Sequence, residues 1–76
     1  MRRLDERAVA VLSTVAAREP VAVRDLLGAT DLCESDLHGL LAELVAAEFL
    51  IEREVGGERG YALTDRGRAV LSRRTD

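Results

Sequence analysis

With 76 residues the chain has room for one domain, residues 1–76, and that is smaller than the usual ~100–150, so any core is small. Hydrophobic residues make up 47% and charged residues 33%, which fits a globular chain and excludes a disordered one. The formal net charge of -3 argues against a strongly basic nucleic-acid binder and against a polybasic membrane anchor.

The first predicted element is a helix over about residues 4–18. Leu4, Ala8, Val11, Leu12 and Val15 recur at helical spacing and make one apolar stripe. Pro20 stops it, because the residue before a proline avoids helical angles. Val21-Ala22-Val23 is then short and extended, suited to an edge strand. Arg24-Asp25-Leu26-Leu27 opens a short second helix that ends between Gly28 and Thr30, with a glycine placed to supply a left-handed cap.

The third helix covers about 34–48. Leu37, Leu40, Leu41, Leu44 and Val45 advance in steps of three and one, the clearest amphipathic signal in the chain. Glu34 and Asp36 occupy its first turn, where carboxylates favour the helix dipole. Residues 49–55 turn extended, with Ile51 and Val55 alternating with charges as in a half-buried strand. Gly56-Gly57 marks a hairpin turn. Arg59 to Leu63 is the return strand, with Tyr61 and Leu63 on one face. Thr64 is an N-cap for a last helix from Asp65 to about Arg74, held by Val70 and Leu71.

The order is helix, short strand, helix, helix, strand, strand, helix. Two short helices joined by a turn and followed by a hairpin read as a winged helix-turn-helix. The expected fold is mainly α with a small β-hairpin: a three-helix core, a wing hairpin and a short C-terminal helix.

The charge is unevenly spread. Residues 25–50 hold six acids and no arginine, whereas residues 1–24 hold five arginines and residues 51–76 hold six. Every cation is an arginine, a planar group suited to phosphate forks, although codon usage in a GC-rich genome is the plainer cause. The single cysteine, Cys33, excludes an internal disulfide and fits a reducing cytoplasm. MRRLDERAVAVL reads as neither a signal nor a transit peptide, and no apolar stretch has the length of a membrane span.

The run from Val21 to Leu71 resembles the DNA-binding core of MarR-, PadR- and ArsR-type winged-helix regulators. The resemblance rests on the Leu26-Leu27 pair and on Leu32 closing the turn. Cys33 or Ser35 takes the place of the small polar residue that opens the recognition helix. Leu41, Leu44, Leu50 and Ile51 follow the family spacing into the next strand. The Gly56-Gly57-Glu58-Arg59-Gly60 stretch matches a wing tip, and YALTDRGRAVL matches the last strand and helix. The chain departs at Glu48, where the family has glycine at the end of the recognition helix.

The resemblance implies a small DNA-binding transcriptional regulator. Its third helix would enter the major groove through Ser35, His38, Gly39 and Ala42. Arg53 and Arg59 would clamp with the wing, Arg24 and Arg66 would flank it, and a homodimer would bind a two-fold site. The acids oppose this arrangement, because affinity for DNA comes chiefly from neutralising phosphates and the third helix exposes Glu34, Asp36 and Glu43 without a cation. The alternative is a winged-helix protein-interaction module whose acidic third helix binds a basic partner.

No reaction chemistry is expected. Cys33 and His38 point to different sides of a helix, so they form no nucleophile-base pair. No cluster supplies the roughly four ligands of a zinc site, so neither metal nor cofactor is expected. The glycine-rich turn leads into a strand and not a helix, unlike a phosphate loop. Cys33 is expected to be buried or to cap the third helix, with oxidant sensing as the sharper alternative.

Overall fold

A computed structural model describes residues 5–74. Leu4, and with it Arg2 and Arg3, lie outside the described residues. The first helix, α1 (Glu6–Arg18), starts at Asp5, whose carboxylate accepts the Ala8 N–H at 2.8 Å. That bond satisfies one of the donors a helix start leaves open. The predicted stripe is fully buried at Ala8, Val11, Leu12 and Val15. α1 ends ahead of Pro20, which follows a cis peptide bond.

The chain then forms β1 (Val21–Ala22) and, one residue earlier than expected, α2 (Val23–Ala29). Gly28 does not cap α2: it lies inside the helix, and its φ is not positive. Thr30 ends it instead, at φ -124, with its Oγ1 and its N–H both donating to the Leu26 carbonyl at 2.9 and 3.1 Å. A hydroxyl thus does the work that a left-handed glycine was expected to do.

α3 (Glu34–Ala46) stops two residues short of the expected end. Its last turn closes by a Schellman arrangement. The Glu48 N–H donates to the Val45 carbonyl and the Phe49 N–H to the Leu44 carbonyl, both at 2.9 Å. That geometry needs a left-handed residue at Glu48, whose φ is 68. Glycine adopts that conformation without strain, and here a glutamate carries it.

β2 (Leu50–Val55) and β3 (Glu58–Leu63) form the antiparallel ribbon, and β1 pairs on the other side of β3, so the sheet order is β1-β3-β2. Gly56 (φ 58) and Gly57 (φ 84) make the two-residue turn, whose positive angles match the twist of the flanking strands. Gly60 is not part of the wing tip. It is buried inside the sheet opposite Ala22 and Arg53, where a Cβ would stand 2.7 Å from the Val21 carbonyl oxygen.

Tyr61 and Leu63 face the core, as expected. Ile51 does not: it is 45% exposed, and Leu50 is the buried residue of β2. The register explains this. Leu50 lies opposite Leu63, which puts the even positions of β2 on the core side and Ile51 opposite Ala62 on the outer side.

α4 (Asp65–Arg74) begins at Thr64, whose Oγ1 accepts the Gly67 N–H at 3.0 Å and donates to the Glu48 carbonyl. α4 rests against α1 and β3, with Val70 and Leu71 at the edge of one core built on Leu12, Leu26, Leu37, Leu41 and Leu44.

Candidate nucleic-acid interface

At about 100° per residue, an α-helix that buries Leu37, Leu40, Leu41 and Leu44 must turn the positions between them outward. Ser35, His38, Gly39 and Ala42 are all exposed on that outer side. The acids sit to either side of it. Asp36 turns towards α1, where it meets Arg7 at 3.9 Å, and Glu34 meets His38 Nε2 at 3.6 Å. Glu43 is exposed and has no ion-pair partner among the described residues. The outermost line of α3 therefore holds three small residues, Ser35, Gly39 and Ala42, with His38 beside Glu34 and the carboxylates along its flanks.

Cys33 occupies the N-cap position of α3 but neither caps nor buries. It is exposed, makes no side-chain cap hydrogen bond, and lies 3.5 Å from Ser35 Oγ. The expectation of a buried or capping thiol is thereby overturned. Leu32, just before α3, is partly buried and packs against the core.

The four arginines expected at the wing and its flanks divide into two kinds. Arg53 and Arg59 are exposed and have no ion-pair partner among the described residues. Arg53 lies opposite Gly60, and Arg59 opposite Glu54. These are successive rungs of the ladder, so the pleat sends the two side chains to opposite faces of the ribbon. Arg24 and Arg66 are engaged. Arg24 pairs with Glu58, the first residue of β3 after the wing turn, and Arg66 meets Glu48 Oε1 at 3.2 Å. The wing thus reaches back to α2, while Arg66 braces the strained end of α3.

Among the described residues, a carboxylate with partners on two other elements was not singled out by sequence. Glu19 accepts the Leu63 N–H at 2.9 Å and pairs with Arg68. Arg68 first of all, and the Leu63 N–H as well, hold its carboxyl below the ordinary value of 4.5 against the opposing effect of burial. The Glu19 carboxylate in turn raises the affinity of the Arg68 guanidinium for its proton. These residues stand 44 and 49 positions from Glu19 along the chain, so no local pattern announces them.

Among the described residues, no group of three or more His, Cys, Asp or Glu side chains is placed to hold a metal ion, and no helix is long and apolar enough to cross a membrane.

Residues 2–74 match a family of unknown function, DUF7346. No curated protein sequence matches the chain. The fold is similar to that of several solved structures. One is BpsR of Bordetella bronchiseptica, described by the regulation of its DNA binding by 6-hydroxynicotinic acid, at TM-score 0.90 and 19% identity over 97% of this chain and 55% of that one. A MarR-family transcriptional regulator from Rhodococcus sp. RHA1 gives 0.87 and 22% over 95% of this chain and 53% of that one. F-93 of SSV1 gives 0.78 and 19% over 96% and 82%. The chain thus spans little more than half the length of the Bordetella and Rhodococcus proteins. Its helices and ribbon have the winged helix-turn-helix architecture of MarR-type regulators, and the chain belongs to the family DUF7346.

Proposed function

We propose that the protein is a DNA-binding regulator that docks on duplex DNA through α3 and the wing, as a homodimer on a two-fold site. The observation that carries this reading is the outer line of α3. Ser35, His38, Gly39 and Ala42 are exposed together, and the acids stand beside them and not among them. Small side chains let a helix approach base edges closely, and Ser35 and His38 supply hydrogen-bonding groups. The wing supplies the charge. Arg53 and Arg59, on opposite faces of the ribbon, suit a ribbon that enters a groove edge-on with one guanidinium towards each wall. Arg24 and Arg66 are the flanking cations. One module buries little surface, which is the reason for the dimer.

Binding of a generic duplex by two variants tests the reading. Arg59→Ala should weaken binding and lower the salt slope by about one. Glu43→Ala should leave binding unchanged or tighten it. The reverse ranking, seen with a basic partner protein, would favour the second reading, in which the acidic helix binds such a partner through Glu34, Asp36 and Glu43. The observation behind that second reading is the exposure of all three carboxylates on α3 with no arginine or lysine on the same helix.

A further inference from the structure

Arg24 lies in the first turn of α2, and Glu58 opens β3 just beyond the wing turn. Their ion pair joins the helical body to the ribbon near its tip. Both side chains are open to solvent, 70% and 44% exposed, so the pair is within reach of a competing anion. Other arginines are held by acids that hold the fold together: Arg68 by Glu19, which also takes the Leu63 N–H, and Arg66 by Glu48 at the end of α3. Glu58 has no such second task. Among the described residues its side chain pairs with Arg24 alone, and its place on the ladder is opposite Val55 at the last rung before the turn.

We propose that Glu58 is an internal competitor for DNA phosphate at Arg24, so that in the free protein the wing is stapled to α2 and Arg24 is occupied. This inference rests on the DNA-binding reading. A phosphate that takes Arg24 displaces the Glu58 carboxylate, since one guanidinium fork presents its best geometry to one oxyanion at a time. The exchange frees the tip of the ribbon from α2 at the moment the duplex arrives. It also costs the affinity that the exposed pair was worth. A pair of this exposure is worth at most about a fivefold change in an equilibrium constant.

The test is a double-mutant cycle on duplex binding in low salt, with Glu58→Gln, Arg24→Gln and the double variant, and with Glu52→Gln as a control. Glu52 is a ribbon acid with no ion-pair partner among the described residues, so its removal changes the charge equally without freeing an arginine. All three positions are exposed, and unfolding midpoints close to wild type should confirm that the fold is intact. The expected result is tighter binding by Glu58→Gln, about two- to fivefold and beyond any gain from Glu52→Gln, with that gain lost when Arg24 is already Gln. An equal gain from Glu52→Gln, or a Glu58→Gln gain that persists without Arg24, would show that Glu58 acts only as one more negative charge. Weaker binding by Glu58→Gln would show that it aims Arg24 at the phosphate and does not compete with it. Either outcome overturns the proposal while leaving the DNA-binding reading in place. Wild-type protein that binds no duplex at all would remove both together.

Discussion

Glu48 adopts a left-handed backbone that a β-carbon makes unfavourable by roughly 1–2 kcal/mol. The Schellman turn at the end of α3 demands that conformation, and the Arg66 pair offsets only part of the cost. Glu48→Gly should therefore raise stability by up to about 1 kcal/mol, the relief being reduced by the extra freedom of glycine in the unfolded chain. Glu48→Ala keeps the strain and loses the pair, so it should be less stable than both wild type and the glycine variant. Denaturant midpoints of the three proteins check this order. At neighbouring positions the same turn fixes the rest of the corner: the Glu48 carbonyl receives the Thr64 hydroxyl, and the Phe49 carbonyl receives the Thr64 N–H. Gly67 lies against the Phe49 carbonyl so closely that a side chain there would collide with it.

Between elements, the Glu19 carboxylate ties the end of α1 to the end of β3 and to α4. Its folded-state pKa is depressed, so its contribution is full above the ordinary value of 4.5 and fades as the pH falls through the lower folded value. Glu19→Gln should unfold a few degrees below wild type at pH 7. The gap should shrink steadily in acid below that ordinary value, because protonation makes the wild-type side chain resemble the amide. A gap that is constant with pH would assign the loss to packing. This link also marks the boundary of what sequence makes legible. The leucine steps of α3, the stripe of α1 and the glycine pair of the turn are each local patterns, and each marks an element that the structure contains, although α1 starts at Glu6 and α3 ends two residues before the expected position. The faces of β2 depended on its partner. Ile51 and Leu50 are equally apolar, and only the Leu50–Leu63 register decides that Ile51 is the exposed one. α2 ends within the expected stretch, but its cap is Thr30 and not Gly28, because the backbone at Thr30 lets its hydroxyl reach the Leu26 carbonyl. The candidate site divides the same way. The exposed line on α3 follows from helical phase, whereas the partners of Arg24, Arg66 and Glu19 come from distant segments.

For the whole molecule the proposed function requires a chain of net charge -3 to grip a polyanion. The proposed answer is segregation. Carboxylates of α3 turn to its flanks, Asp36 and Glu34 are engaged locally, and free guanidinium groups project from the ribbon at Arg53 and Arg59. Grip would then rest on few phosphates, with Arg24 joining once Glu58 releases it. The affinity of such an interface falls with salt in proportion to the phosphates it neutralises, by about 0.9 in the logarithmic slope for each. The most direct test is therefore the binding of purified wild-type protein to a generic duplex across a series of salt concentrations. The account predicts measurable binding at low salt, with log affinity falling linearly against log salt at a slope of about -2 to -3 per protomer. No binding at the lowest salt, or binding indifferent to salt, would contradict it.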